Sequence, residues 1–220
     1  MTEMNAASSV EIEALFDEIA AALDQRGYIV LTDILPAELL HDLHQRALSL
    51  AEHGYQRAGI GRQSDLHLDN AYRTDEIHWL ERHDAAERAY LDWMEQLRLG
   101  LNRRLFLGLF DYECHFAHYA PGAFYKRHLD AFRGNTNRVL TTVCYLNPRW
   151  DARDGGQLLM YRDEASDAPF LSLQPQAGTL AVFLSDQFPH EVAPARCDRY
   201  SIAGWFRVNN SLGALTDPPR

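Results

Sequence analysis

The tripeptide His-Leu-Asp occurs twice in the chain, at residues 67–69 and 128–130. On a strand, residues i and i+2 project from the same face, so either copy could present an imidazole and a carboxylate to one metal ion. An iron centre with two histidines and one carboxylate needs a further histidine from elsewhere in the fold. Sequence context must therefore decide which copy could belong to such a centre.

Context favours the second copy. His128 and Asp130 lie at the start of a series of β-rich segments, among aromatic residues that could wall a pocket. Downstream, His190 follows a predicted strand and could supply the third ligand. His67 and Asp69 lie in a polar, glycine-containing stretch that a predicted helix separates from the β-rich part. We interpret them as solvated loop residues, or at most as part of a lid near a substrate.

A site with these three ligands leaves iron positions open for a bidentate 2-oxo acid and for dioxygen. The far carboxylate of 2-oxoglutarate then needs a cation, and the fork of an arginine matches a carboxylate better than an ammonium does. Arg199 opens a predicted strand beyond His190, with Ser201 on the same face. Tyr119 and Tyr145 are candidates for further hydroxyl contacts. The alternatives are a surface arginine and two core tyrosines with satisfied hydroxyls.

The elements that must position these residues change character along the chain. The first part is predicted to be mainly helical, with helices over Val10–Asp24, from a proline at position 36 to about His53, and over Ala85–Phe106. A short strand, Tyr28–Leu31, lies between the first two helices. The polar stretch Tyr55–Tyr72 contains two glycines and is predicted to be a long exposed loop or loose hairpin.

After Asp111, short β-rich runs alternate with turn formers, which is typical of a sandwich or jelly roll. The predicted strands are Tyr112–Tyr119, Val139–Leu146, Gln157–Tyr161, Phe170–Leu173, Thr179–Leu184 and Tyr200–Val208. With no repeat or linker evident, we expect an α+β fold in one domain over residues 1–220. Residues 1–110 would be mainly helical support with an entrance loop at 55–79, and 111–208 the jelly roll.

Composition narrows the function. The net charge of −10 argues against a protein that mainly binds nucleic acid. The sequence has no run of apolar residues long enough to cross a membrane and no secretory signal, so we expect no membrane partner. Three widely spaced cysteines without a CxxC motif indicate reduced thiols and a cytoplasmic location.

A set of motifs extends from about Tyr72 to Val208, in order and with compatible spacing. They include RTDEIHW (73–79), YAPG (119–122), YKRHLD (125–130), RVLTTVCYLN (138–147), GGQL (155–158), PHEV (189–192) and RYSIAGW (199–205). Through them the chain resembles the iron(II)/2-oxoglutarate oxygenases, and within these a bacterial member of the egg-laying-nine (Egl nine) type of prolyl hydroxylase. The resemblance implies a double-stranded β-helix (jelly roll) buttressed by the N-terminal helices.

The resemblance also implies a role for each matching residue. His128, Asp130 and His190 would hold Fe(II), and Arg199, helped by Tyr145, would pair with the distal carboxylate of 2-oxoglutarate. The other implied residues are Tyr119 near the iron-bound end, Leu158 and Trp205 lining the pocket, and Arg73, Asp75 and Arg138 at the substrate entrance. We expect Asp75 to bridge to Arg138 and so to pin the segment Tyr55–Tyr72 over bound peptide. Ala203 occupies the position at which the oxygen-sensing animal members of this family have a threonine.

The activity implied is hydroxylation of a prolyl residue in a protein or peptide, as a prolyl 4-hydroxylase that forms succinate and carbon dioxide. Ascorbate is the expected reductant, and a translation factor is a candidate substrate. Alternatives are a hydroxylase of a free or carrier-bound small amino acid, and a non-catalytic jelly-roll binding module. A nucleic-acid demethylase of the AlkB type is disfavoured, because Trp205 occupies the position of its second arginine and because the chain is acidic.

Overall fold

Three α-helices and eleven strands lie in the part of the chain that the computed structural model describes, residues 6–51, 54–58, 71–131 and 137–209. The helices are α1 (Ala6–Arg26), α2 (Ala37–Ser49) and α3 (Ala85–Leu105). The strands are β1 (Tyr28–Thr32), β2 (Gln56–Arg57), β3 (Glu76–Trp79), β4 (Leu109–Tyr119), β5 (Tyr125–His128), β6 (Arg138–Tyr145), β7 (Leu158–Met160), β8 (Leu171–Leu173), β9 (Thr179–Leu184), β10 (His190–Val192) and β11 (Arg199–Val208).

The helices form because apolar side chains recur on one face. In α3, Tyr90, Met94, Leu97 and Leu101 are fully buried at intervals of three or four residues. Asp84 caps this helix, because its side chain accepts hydrogen bonds from the first free backbone amides. Packed together on one face of a large sheet, the three helices close a hydrophobic core with it.

The strands form two antiparallel sheets. The large sheet has seven strands in the order β1-β9-β6-β11-β4-β3-β2, and the small sheet has four in the order β5-β10-β7-β8. One face of the large sheet packs on the helices, and the other faces the small sheet across a second hydrophobic cluster. The space between the two sheets is where the predicted site residues lie.

The central strand β11 fixes the rows of side chains that face the small sheet. Arg199 pairs with Tyr119 on β4, and Ser201 pairs with Tyr145 on β6. Two residues further along, Ala203 pairs with His115 of β4. Since alternate residues of a strand share a face, these side chains line one wall in successive rows.

The α+β architecture expected from the sequence is confirmed, and most predicted elements agree within a few residues. Three differences stand out. The second helix ends at Ser49 rather than near His53, and the short strands β3, β5 and β10 were not predicted. Part of the predicted loop Tyr55–Tyr72 forms β2, which pairs with β3, and residues 59–70 lie outside the described residues.

None of the described helices combines the length and apolar character that a membrane crossing requires.

Candidate metal and co-substrate site

The predicted ligands His128, Asp130 and His190 meet at one point. Each offers one ligand atom, and the three atoms lie within 4.8 Å of one another. Nε2 of His128 is 3.7 Å from Oδ1 of Asp130, and Nε2 of His190 is 3.4 Å from Oδ2. The histidines converge because β5 and β10 are neighbouring strands, with His128 directly opposite His190. This donor set fits a hard-to-intermediate divalent metal such as Fe(II).

Backbone carbonyls fix the tautomer of both histidines. Nδ1–H of His128 donates to the carbonyl of Lys126 (2.7 Å), and Nδ1–H of His190 donates to the carbonyl of Phe188 (3.0 Å). Because a carbonyl can only accept, Nδ1 carries the proton and Nε2 presents its lone pair towards Asp130. This is the arrangement that outer hydrogen bonds impose on metal-binding histidines.

The protonation states also suit a metal. Burial, and then the proximity of His190, lower the pKa of His128 to about 3. Burial alone would raise the pKa of Asp130, but the nearby histidines and Arg138 outweigh it and lower that pKa to about 2. At neutral pH the triad therefore offers a neutral imidazole and an ionised carboxylate, which are the forms that bind metals.

The carboxylate of Asp130 is held by a buried hydroxyl pair that the sequence did not reveal. Thr141 donates to Oδ2 of Asp130 (2.8 Å) and lies 2.9 Å from the hydroxyl of Ser185. Since the single proton of Thr141 goes to the carboxylate, Ser185 must donate to Thr141. Asp130 is thereby anchored to the large sheet through β6.

Arg199 lies at the floor of the site and is 1% exposed. Its Nε donates to the carbonyl of Gly156 (2.8 Å) and its Nη1 donates to the hydroxyl of Ser201 (3.1 Å). Its Cζ lies 4.7 Å from the centroid of the Tyr119 ring and 5.2 Å from that of the Tyr145 ring. No carboxylate of the described residues forms an ion pair with it. A buried guanidinium without an anion is costly, so this floor fits the carboxylate of a bound ligand.

A second group at the floor lacks a partner. The hydroxyl of Tyr145 is buried and makes no hydrogen bond within the described residues. Burial raises the pKa of Tyr145 to about 12, so the hydroxyl keeps its proton and can donate. A dicarboxylate such as 2-oxoglutarate would satisfy both Tyr145 and Arg199 with one of its ends and reach the metal with the other.

Gly156 shapes the floor by having no side chain. Its backbone has φ +68°, and a Cβ there would lie 3.0 Å from Cδ of Arg199 and 3.1 Å from the ring of Trp150. Only glycine combines this left-handed conformation with the space that Arg199 occupies. The second glycine of the GGQL motif therefore makes room for the arginine side chain.

One cavity of about 660 Å³ connects the metal ligands with the floor. Ten of the twelve predicted site residues line it; they are Arg73, Tyr119, His128, Asp130, Arg138, Leu158, His190, Arg199, Ser201 and Trp205. Tyr145 and Asp75 are fully or almost fully buried beside it. The roles of these residues remain predictions, but the fold places them around one space.

The prediction of an ion pair between Asp75 and Arg138 is wrong. Among the described residues, Asp75 accepts two hydrogen bonds from Arg73 (2.8 and 2.6 Å). Arg138 instead donates to Glu113 (2.9 and 3.1 Å) and lies 3.6 Å from the Trp205 ring. The reason is the strand order, because β4 and β6 flank β11 and bring Glu113 and Arg138 together across Trp205.

Sequence reasoning also missed His115 as a lining residue. It lines the cavity wall together with Trp79 and Trp205. Its ring lies 5.2 Å from that of Trp79 and 5.5 Å from that of Trp205. Burial, and then the charge of Arg73, lower the pKa of His115 to about 4, so the imidazole is neutral. Its alternation with Tyr119 along β4 is the signal that could have revealed it.

The first His-Leu-Asp copy and most of the proposed lid, Tyr55–Tyr72, lie outside the described residues.

Comparisons with known proteins agree with this geometry. Residues 114–207 match the model of the 2OG-Fe(II) oxygenase superfamily. A crystal structure of a Pseudomonas putida prolyl-4-hydroxylase is 40% identical, with a TM-score of 0.79, covering 89% of this chain and all of that one. A Trichoplax adhaerens prolyl hydroxylase, in complex with a hypoxia inducible factor peptide, is 27% identical, with a TM-score of 0.82 and 94% of each chain covered.

Egl nine homolog 1 of Mus musculus is 28% identical over 210 residues, which are 89% of this chain and 50% of the mouse protein. The chain thus spans about half the length of the curated relatives that it matches first. The matched ranges include the metal triad and the arginine floor. The chain therefore belongs to the 2OG-Fe(II) oxygenase superfamily, whose enzymes need Fe(II) and 2-oxoglutarate, and within it is similar to the prolyl hydroxylases of the Egl nine type.

Proposed function

We propose that the protein is an Fe(II)/2-oxoglutarate-dependent dioxygenase that hydroxylates a prolyl residue, at its 4-position, in a protein or peptide. The observation that carries the proposal is the placing of a two-histidine, one-carboxylate triad and a buried, unpaired Arg199 in one cavity. Relatives that are named prolyl hydroxylases, one of them in complex with a peptide, support the substrate class.

In this proposal each residue has a physical task. His128, Asp130 and His190 would hold Fe(II). When bound, Fe(II) would supply the activation of dioxygen, by which 2-oxoglutarate is converted into succinate and carbon dioxide and the substrate is oxidised. Arg199 and Tyr145 would fix the distal carboxylate, with Ser201 orienting the guanidinium through their hydrogen bond. Leu158 and Trp205 would exclude water from the reacting groups.

Arg73, Asp75 and Arg138 would lie close to the substrate mouth, where Arg73 and Arg138 would contact the substrate and buried Asp75 would hold Arg73. Arg73 and Arg138 both line the cavity, and each is held by a carboxylate, from Asp75 and Glu113 respectively. Fixed cations at the entrance suit the carbonyl groups of an extended peptide. The segment Tyr55–Tyr72 would close over this peptide as a lid.

We also propose a single functional domain over residues 1–220, a cytoplasmic location and ascorbate as reductant. All three cysteines are free thiols, and two of them are buried, which suits a reducing compartment. The substrate would be a cytoplasmic protein, with a translation factor as the candidate.

The test compares cells that lack the gene with cells complemented by the wild type, His128→Ala or His67→Ala. We expect one prolyl peptide to gain a single oxygen atom with the wild type and with His67→Ala, and to remain unmodified with His128→Ala. In parallel, the purified enzyme is given Fe(II), ascorbate and 2-oxoglutarate with the peptide or with free proline. Succinate formed with free proline alone would contradict a peptide substrate, and no succinate with any additive would favour a binding module.

A further inference from the structure

The ring of Tyr125 packs directly on a metal ligand. Its centroid lies 3.6 Å from that of the His128 ring, at an angle of 14° between the planes. The guanidinium of Arg73 lies 4.3 Å from the centroid of the same tyrosine ring. Arg73 in turn is held by two hydrogen bonds to buried Asp75. A continuous set of contacts therefore joins the charged pair at the cavity mouth to the imidazole of His128.

The backbone around these side chains strengthens the connection. β5, which ends at His128, is an edge strand of the small sheet. Its free edge is covered by residues 72–74: the amide of Lys126 donates to the carbonyl of Tyr72 (2.9 Å), and the amide of Thr74 donates to the carbonyl of Phe124 (3.1 Å). β5 therefore has β10 on one side and this entrance segment on the other.

His128 is the triad member that most needs such support. Asp130 is anchored to Thr141 of the large sheet. Both histidines bond a carbonyl two residues away through Nδ1–H, but His190 lies on β10, which pairs with a strand on each side, whereas His128 ends the edge strand β5. A bond within one short strand fixes the tautomer, but it leaves the plane of the ring to be set by whatever packs on its face. Tyr125 packs nearly parallel on the ring, and the His190 ring contacts it at a tilt, with 4.3 Å between the ring centroids.

We propose that Tyr125 is a positioning residue, which sets the plane of the His128 ring and thereby the metal affinity. Through the same ring, the metal affinity also depends on the Arg73–Asp75 ion pair at the cavity mouth. The inference concerns the metal site only, so it stands or falls independently of the prolyl substrate. Outer contacts of metal ligands commonly change metal affinity by about 10- to 100-fold when they are removed.

The experiment titrates the purified, metal-free full chain with Co(II) and follows both the dissociation constant and the visible absorption of the bound ion. We expect Tyr125→Leu to weaken Co(II) binding about 10-fold and to shift its absorption bands. Tyr125→Phe keeps the stacked ring and should stay within about twofold of the wild type. Tyr200→Leu is the matched control, because Tyr200 stacks on His118 (4.8 Å, 10°) away from the metal ligands.

Transmission from the mouth is tested with Arg73→Gln. We expect a loss of about threefold in Co(II) affinity, and no further loss when this change is added to Tyr125→Leu, because both act through one ring. Wild-type affinity and absorption in folded Tyr125→Leu, with folding checked by circular dichroism, would overturn the proposal. Should that variant not fold, Tyr125→Met takes its place with the same criterion, and additive losses would overturn the transmission.

Discussion

The two ends of the cavity are built differently. The arginine floor rests on β4, β6 and β11, which have 11, 8 and 10 residues and pair over long ladders in the large sheet. The metal histidines sit on β5 and β10, which have four and three residues in the small sheet. Long ladders fix a side chain through register, whereas short strands must rely on contacts from neighbouring side chains. The two ends should therefore respond differently to substitution.

The largest effect is expected at the metal end from Asp130→Ala. The substitution removes a ligand and the negative charge that offsets a divalent ion, so we expect succinate formation to fall by ~1,000-fold or more. Co(II) binding measured by equilibrium dialysis should fall with it. Asp163→Ala, at an exposed turn, is the control and should behave like the wild type. Retention of tight Co(II) binding in Asp130→Ala would exclude this carboxylate as a ligand.

Arg199→Lys should weaken 2-oxoglutarate binding at the arginine floor without changing metal binding at the other end. A lysine loses the fork that bonds Gly156, Ser201 and the distal carboxylate, at a cost of about 1.5–3 kcal/mol, which is about 10- to 100-fold in the dissociation constant of 2-oxoglutarate. Calorimetry on the Co(II)-loaded protein measures this dissociation constant. Co(II) affinity without 2-oxoglutarate should not change; if it does, the two ends are not separate.

Gly156→Ala sharpens the comparison by moving Arg199 indirectly. The new Cβ would be 3.0 Å from Cδ of Arg199, so we expect about a fivefold weaker binding of 2-oxoglutarate, together with a loss of about 1–2 kcal/mol in unfolding free energy from the left-handed backbone. Gly122→Ala is the matched control, since its φ is +90° and nothing lies within 4 Å of the added Cβ. It should lose similar stability but keep its affinity. Equal affinity losses in both would show that strain alone is responsible.

The last prediction concerns the wall between the two ends, which should respond to pH. The pKa of His115 is lowered to about 4, so between pH 6.5 and 4 the unfolded chain takes up a proton that the folded chain does not. The unfolding free energy should therefore fall as pH falls through this window, by at most about 1.4 kcal/mol per pH unit from this residue, and this part is fully retained above pH 6.5. His115→Phe should flatten the slope measured by urea unfolding at pH 7.0, 5.5 and 4.5. His83→Phe, at a histidine whose side chain is 94% exposed, should leave it unchanged.

These differences also explain what the sequence could reveal. The triad and Arg199 were predictable from their motifs and their β-rich context. The expected i, i+2 placement on one strand does not apply, because β5 ends at His128 and Asp130 lies just beyond it. The supporting residues were not predictable. Glu113 meets Arg138 because β4 and β6 flank β11. Thr141 meets Asp130 because the segment after β5 of the small sheet lies against β6 of the large sheet. Both contacts depend on the packing of the whole fold. The unpredicted β3 has all four residues only partly buried, so it lacks the alternation that identifies a strand.

The pairing of Tyr119 with Arg199 joins residues 80 positions apart, and all three metal ligands lie on the chain between them. A nascent chain that has not yet emerged from the ribosome as far as β11 therefore lacks the central strand of the large sheet. Because so distant a pairing must form before the cavity closes, we expect folding in milliseconds to seconds after synthesis of β11. Iron would then be acquired only once translation of this region is complete.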